Sequence, residues 1–502
     1  MVANTYRPTE EQLEVIEGHI DGQLQVNAFA GTGKTATLRE FARRRSQEST
    51  LYLAFNKAMA DEAREKFSGL PKVQCMTVHS LAFRAVGYKF KHRLGNIRPM
   101  DITDLASSVR GKNHYVTSKF MLEALAGYMS SDQHSVIDYL NSVDSNPGFD
   151  VNRVDPIRFQ FAVEELWNKI LNDDQFPFPH SAYLKLFQLE QPKICFDNLL
   201  VDEAQDTTDC MIDIIVRQRD SRRLLIGDSF QQIYSWNGAV DSLKKLAHLG
   251  ETKYLTKSFR CPEYIAEIAD KYLQVLGAEK HFKGAETHGE GPAARISRTT
   301  GHVFARAVEV LNDPRGKRSH FLGGFDSYNF GLLLDIWSLK SGQPSEIREP
   351  FLKCFENFDE LAEYAEVDQE LSSKVKIVDK VGGSVRGLYF KLKAESCDRK
   401  NADYVLSTAH RAKGQEFGVV QLSNDFVSLR NEIAELEDQE NSGGEVIPVG
   451  IAQEELNLLY VAMTRAKKIL DCPEHYAMRD SDVANVQQRI KKGHLVITNS
   501  KC

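Results

Sequence analysis

The stretch NAFAGTGKT, at 27–35, constrains the fold more than any other part of this chain. Before it, LQVNA (24–28) is a short apolar run; after it, TATLREFARRR (35–45) places Leu38 and Phe41 on one side of a helix. Strand, glycine turn and helix form the context in which the pattern G-x-x-x-x-G-K-[ST] becomes a phosphate-binding loop. Ala28 stands in the place of the first glycine, at a position that turns the chain without touching phosphate. In this geometry the backbone N–H groups of Gly31 to Lys34 and the helix N-terminus hold phosphates, Lys34 neutralises the β and γ charges, and Thr35 ligates Mg²⁺. Ala28, Ala30, Gly31, Thr32, Gly33, Lys34 and Thr35 are therefore the loop's candidate nucleotide-binding residues.

A loop that hydrolyses ATP needs a second strand ending in an acid for the metal, and a further carboxylate to activate water. FDNLLVDEAQD (196–206) supplies both: Leu199, Leu200 and Val201 read as a buried parallel strand, Asp202 as the metal acid and Glu203 as the general base. A third strand, RLLIGD (223–228), runs into GDSFQQIY, where Gln231 is placed to sense the γ-phosphate.

The 502 residues suffice for roughly three or four domains of about 150 residues each. The composition, 42% hydrophobic and 26% charged, is that of a globular protein. No apolar run approaches the ~20 residues that span a bilayer, and MVANTYRPTEEQ does not read as a secretory signal, so no membrane partner is expected. The expected compartment is inside the cell: cytoplasm and nucleoid for a prokaryotic or viral chain, nucleus for a eukaryotic one. Cys75, Cys195, Cys210, Cys261, Cys354, Cys397, Cys472 and Cys502 form no C-x-x-C pair or zinc-like grouping and read as reduced, mostly buried thiols. A net charge of −7 excludes nonspecific attraction of nucleic acid to the whole surface, so a polynucleotide must be held in a local groove.

With these stretches in place, the chain resembles the UvrD-type superfamily 1 helicases. NAFAGTGKT, LYLAFNKAMADEA, TVHSLAF, SAYLKLFQL, VDEAQD, GDSFQQIYSWNGAV, YLTKSFR, TAHRAKGQEF and LLYVAMTRAKK are most similar to the helicase core of the F-box DNA helicases, from Gln12 to about Leu470. No F-box is seen ahead of the first motif, so the ubiquitin-ligase role of longer relatives is not implied. The resemblance implies that Gln12 reads adenine, Phe259 stacks on the base, Gln231 senses the γ-phosphate, Glu416 lies near the ribose, and Arg260 and Arg465 are paired arginine fingers. The last two also follow from charge, because a guanidinium stabilises the equatorial oxygens of a transferring phosphoryl group. Each of these arginines is read as following a strand. For the single-stranded track, the resemblance implies stacking by Tyr234 and Trp236, with Asn56, Lys57, Thr77, His79, Thr408 and His410 facing the DNA backbone. Trp167, in the helical stripe Phe159, Ala162, Val163, Leu166, Trp167 and Ile170, reads as core.

The expected fold is α/β, with two RecA-like P-loop NTPase domains on parallel sheets, each interrupted by an inserted subdomain. The first comprises 1–85 and 191–256, around an inserted helical subdomain at 86–190. The second comprises 257–340 and 401–502, around a short accessory insertion at 341–400. ARISR (294–298), HFLGG (320–324), DYVLSTAH (403–410) and GVVQLS (418–423) are its expected strands. ATP binding is expected to close the second domain over the nucleotide, and hydrolysis to reopen it, which steps the motor along its strand. YKFKHR (88–93) alternates aromatic and basic residues and reads as a solvated face, with contact to duplex as the sharper alternative; NEIAELEDQENSGGE (431–445) reads as a mobile acidic loop. Ala36 replaces an adenine-stacking Arg of many relatives, Asn237 replaces a basic residue, and the aromatic near Phe55 is shifted by one position.

The resulting expectation is an ATP- and Mg²⁺-dependent DNA helicase and translocase acting on single strands and single–double-strand junctions, 3′→5′ by resemblance, with a partner from repair, recombination or defence. One rival is a translocase that strips proteins such as recombinase filaments with little unwinding, for which the small second insertion is the motive. A second is a DNA-binding scaffold with a dead ATPase, against which the intact site residues stand. A fused nuclease is not expected, since no carboxylate and lysine constellation follows the last motif.

Overall fold

The computed structural model describes residues 7–111, 113–143, 154–286, 290–443 and 446–498. Contacts divide the chain into two units: 1–28 with 33–255, and 29–32 with 256–502.

The first unit is built on a six-stranded parallel sheet of β1 (Gln23–Ala28), β2 (Thr50–Ala54), β3 (Val73–Thr77), β4 (Asn198–Val201), β5 (Arg222–Gly227) and β6 (Glu251–Leu255). Their spatial order is β3-β2-β4-β5-β1-β6. Side chains alternate across it: Leu51, Leu53, Leu199, Val201 and Leu225 enter one core, and Tyr52, Ala54, Leu200, Leu224 and Ile226 the other. Both faces are buried, which is why these strands read as continuous apolar runs rather than alternating ones.

Between β3 and β4 lie helices that include His114–Ser130, Pro156–Asn172 and His180–Leu189. Pro156–Asn172 buries Phe159, Ala162, Val163, Leu166, Trp167 and Ile170 on one face, so Trp167 is core. YKFKHR keeps the solvated reading at Tyr88, Lys89, Lys91 and His92, which are exposed, and departs from it at Phe90 and Arg93. It lies in the 3₁₀ segment Gly87–Arg93, where Phe90 stacks on Phe178 at 4.0 Å. Arg93 is buried, and its Nη1 donates to the carbonyls of Ile170 (2.8 Å), Asp173 (3.0 Å) and Phe176 (3.1 Å). With Nη2 donating to Leu171 (3.3 Å), the guanidinium serves two carbonyls at the end of Pro156–Asn172 that have no helical donors, Ile170 and Leu171, and ties them to the turn that follows.

The second unit carries a five-stranded parallel sheet of β7 (Ala293–Ser297), β8 (Ser319–Phe321), β9 (Tyr404–Thr408), β10 (Phe417–Leu422) and β11 (Ala466–Asp471), in the order β8-β9-β7-β10-β11. The stretch between β8 and β9 is helical, and Gln369–Val381 packs on Thr300–Leu311 within one core that also takes in Phe321 and Leu406. Gly301 permits that approach, since a Cβ there would stand 2.4 Å from Ser373 Oγ. The residues 341–400 therefore share the core of the sheet they interrupt.

The acidic loop expected at 431–445 is instead the helix Leu429–Asn441 over its described part; Gly444 and Glu445 lie outside the described residues. Leu429, Ile433 and Leu436 bury one face at helical spacing, and Glu437 and Glu440 pair with Arg489. Of the cysteines, Cys75, Cys210 and Cys261 are buried and free, Cys397 and Cys472 half-buried and Cys195 exposed. Among the described residues, no helix is long and apolar enough to cross a membrane.

Candidate functional site

Two left-handed glycines, Gly31 (φ 72°) and Gly33 (φ 82°), turn the chain from β1 into the helix Lys34–Arg44. This geometry favours glycine and leaves the helix N-terminus open to an anion. Lys34 opens that helix, and its Nζ lies 3.7 Å from Glu203 Oε1. Thr35 Oγ1 stands 3.4 Å from Asp202 Oδ2, so the hydroxyl and the carboxylate converge as a magnesium pair requires. Asp202 is buried at the end of β4, and the Tyr52 hydroxyl of neighbouring β2 donates to its Oδ2. Burial and the Glu203 charge push the Asp202 carboxyl above its ordinary range, opposed by Lys34 and by the Tyr52 hydrogen bond. A buried acid held above its ordinary range beside a threonine hydroxyl fits a hard cation.

Glu203 sits at φ 53°, a left-handed conformation that costs a side-chain-bearing residue roughly 1–2 kcal/mol. It is held there by Gln205, whose Nε2 donates to Glu203 Oε2 at 2.6 Å while its Oε1 accepts the amide of Asp228 at 3.0 Å. Gly227 makes room for this amide, since a Cβ would stand 2.3 Å from Gln205 Oε1. Gln231 is buried and its Nε2 donates to Asp228 Oδ2 at 2.7 Å, which ties the expected sensor to the same network. Gln12 is buried in a capping box, its Oε1 accepting the Thr9 amide at 3.0 Å.

At the same carboxyl edge of the first sheet stands an aromatic row. Tyr234 stacks on Phe55 (5.6 Å, 12° between planes), and Trp236 meets Tyr234 edge-on at 6.4 Å. Trp236 is 66% exposed and so is no part of the core. Asn56 and Thr77 cap the helices Lys57–Lys66 and Val78–Ala85, accepting the amides of Met59 and Ser80. Lys57 is exposed on the first of these. His79 is mostly buried against Tyr183, its Nδ1 without a partner, and burial followed by the His180 charge pushes its pKa to about 4. It is therefore a neutral imidazole near pH 7, and any phosphate contact it makes is a neutral hydrogen bond.

In the second unit, the Phe259 amide donates to the Gly31 carbonyl at 2.8 Å, and the Ala30 amide donates to the Tyr460 hydroxyl at 3.0 Å. Phe259 is half exposed, as a base platform must be. Arg260 and Glu416, expected at different parts of a nucleotide, pair with each other: Arg260 Nε lies 2.8 Å from Glu416 Oε1. Burial opposes it, but Arg260 and then Lys467 and Arg465 hold the Glu416 carboxyl below its ordinary range. Arg465 is 2% exposed, and its Nε donates to the Val461 carbonyl at 2.9 Å. It follows the helix Gln453–Met463 and precedes β11, which corrects the expectation that a strand comes before it. Arg260 does follow a strand, β6. Thr408 caps Ala409–Ala412, on which His410 is half-buried.

Sequence reasoning missed Tyr52, Gln205, Asp228 and Tyr460. Gln205 lies within VDEAQD and Asp228 within GDSFQQIY; Tyr52 and Tyr460 act through partners distant in sequence.

Residues 8–247 match the UvrD/REP helicase N-terminal domain, and residues 326–472 the UvrD-like helicase C-terminal domain. F-box DNA helicase 1 of Gallus gallus is 33% identical over 500 residues, covering 92% of this chain and 48% of that protein. F-box DNA helicase protein 1 of Schizosaccharomyces pombe is 30% identical over 524 residues, covering 93% of this chain and 57% of that protein. An ATP-dependent DNA helicase PcrA of Leuconostoc citreum is 24% identical over 291 residues, half of this chain and 37% of its own length. The chain thus spans about half the length of the two F-box relatives. The two domain matches, the parallel sheets and the Lys34–Thr35–Asp202–Glu203 grouping lead to one conclusion: the chain belongs to the UvrD-like helicase family.

Proposed function

We propose that this chain is an ATP-dependent DNA helicase that couples hydrolysis to movement along single-stranded DNA, using Mg²⁺, with 3′→5′ polarity taken from the family resemblance. The observation that carries this reading is the placement, on one edge of one sheet, of Lys34, Thr35, Asp202 and Glu203 beside the half-buried Tyr234 and the exposed Trp236. Magnesium, when bound, neutralises charge on the β and γ phosphates. Thr35 and Asp202 would hold it. The loop amides and Lys34 orient the phosphates, and Glu203, fixed by Gln205, takes a proton from the attacking water. Arg260 and Arg465 stabilise the equatorial charge. The link between the two sites is short: Gln231 shares Asp228 with Gln205, and Trp236 lies five residues further along the same turn.

A role in repair, recombination or defence, a protein partner of that kind and junction DNA as substrate extend the same proposal, as does a nuclear or nucleoid location. The experiment is steady-state ATP hydrolysis with and without single-stranded DNA, in wild type and Glu203→Gln. Many-fold stimulation by DNA, abolished in Glu203→Gln, is the expected result. Hydrolysis indifferent to DNA would overturn the track assignment.

A second reading is translocation that displaces bound protein with little unwinding. It is favoured by the packing of 341–400 into the core of its own sheet, which leaves that stretch committed to the fold. Strand displacement on a tailed duplex separates the two.

A further inference from the structure

The amino-terminal edge of the first sheet, opposite the edge that carries Lys34 and Asp202, holds a cavity of about 810 Å³. It is walled by the stretch before β4, the end of the helix Asp209–Val216, the turn into β5, and Leu249 ahead of β6. Lys193, Arg217, Arg219 and Arg223 line it, against Asp213 and Asp220. Lys193 pairs with Asp220 at 2.9 Å and Arg217 with Asp213 at 2.9 Å. Among the described residues, Arg219 and Arg223 are left with no carboxylate.

Arg223 is 8% exposed, and while its Nη1 donates to the Val216 carbonyl, its Nε is buried without a partner. Its register neighbour on β1, Gln23, is 2% exposed and has neither amide atom bonded. Burial and then the Arg219 charge push the Arg223 guanidinium pKa down, a sign that the two like charges are uncompensated. A buried donor of this kind is destabilising until an acceptor arrives. A guanidinium presents its N–H groups as a fork matched to a tetrahedral oxyanion. The cavity is also larger than a lone ion needs and offers Val216 and Leu249 as an apolar wall for a stem.

We propose that this cavity binds a phosphoryl group on Arg219 and Arg223, at a site separate from the nucleotide loop. The test is phosphorus NMR of inorganic phosphate added to the full chain carrying Lys34→Ala, which removes the lysine of the nucleotide loop. The phosphate line broadens in this protein, and the affinity falls at least tenfold when Arg219→Glu is added. Arg219 is exposed, so this variant folds. Arg223→Lys, which keeps the charge and loses the fork, weakens binding in the same direction. On the otherwise native chain, Arg219→Glu leaves ATP hydrolysis within twofold. Displacement of phosphate by O-phosphoserine assigns the site to a phosphorylated side chain of a partner, and no displacement assigns it to a free ion. Absence of broadening in the Lys34→Ala chain, or broadening indifferent to both arginine variants, overturns the proposal.

Discussion

Gln205 holds Glu203 in place: its Nε2 donates to Glu203 Oε2 at 2.6 Å, and its Oε1 accepts the Asp228 amide at 3.0 Å. One side chain thereby couples the strand end that carries Glu203, the proposed general base, to the turn that leads to Gln231 and Trp236. Replacing it leaves Glu203 chemically intact but free to leave its left-handed conformation. Gln205→Ala is expected to lower kcat for ATP about 10- to 100-fold, the usual loss when an orienting partner is removed, with KM for ATP little changed. A rise in KM with kcat preserved would show that Gln205 serves binding instead.

Trp236 is two-thirds exposed and contributes little to the core, so its removal tests the proposed track rather than folding. Trp236→Ala is expected to change unfolding stability by less than about 0.5 kcal/mol and to weaken single-stranded DNA binding by about 1–3 kcal/mol, the worth of one stacked base. Fluorescence anisotropy of a labelled oligonucleotide measures the second quantity, and urea unfolding the first. Unchanged DNA affinity returns Tyr234 and Phe55 to a purely structural stack.

Arg93 is a structural cation. Its guanidinium joins four carbonyls around the end of Pro156–Asn172 and lies over the rings of Phe90 and Phe178. Arg93→Ala takes the donor from the buried Ile170 and Phe176 carbonyls, while Asp173 keeps the Phe176 amide, and is expected to destabilise the first unit by about 3 kcal/mol. Lys91→Ala, two residues away and exposed, should cost close to nothing. Equal effects of the two substitutions in urea unfolding would contradict the assignment.

The fate of YKFKHR shows what a single sequence withholds. Its alternation of rings and charges reads as a surface, which holds for Tyr88, Lys89, Lys91 and His92, and what buries Arg93 are carbonyls 77 to 83 residues away. Tyr52 is hidden for the same reason: its hydroxyl meets Asp202 150 residues on because β2 lies beside β4 in the sheet order. Lys34, Thr35, Asp202 and Glu203 were legible because each sits where an apolar run ends or a glycine turn begins, and such local patterns fix where a side chain is delivered. The helix Leu429–Asn441 was misread because its charges masked the spacing of Leu429, Ile433 and Leu436. Arg465 was placed after a strand because YVAM is apolar enough to read as one, although it continues the buried helix Gln453–Met463.

His79 gives the chain a pH dependence whose sign follows from its burial. Its folded pKa of about 4 lies below the ordinary 6.5, so the unfolded chain binds the proton more readily. The group's contribution to stability is therefore complete above 6.5 and is lost as pH falls toward 4, by at most about 3 kcal/mol. His79→Gln, which has no proton to gain, should flatten that part of the stability curve, measured as unfolding free energy from about pH 7 down to pH 4. Over the neutral range both proteins carry no charge at this position, so the salt dependence of single-stranded DNA binding should be the same for the two. Two parallel stability curves across the acid limb would mean that His79 is as free to protonate in the folded chain as in the unfolded one, and that its ring is not held against Tyr183 in solution.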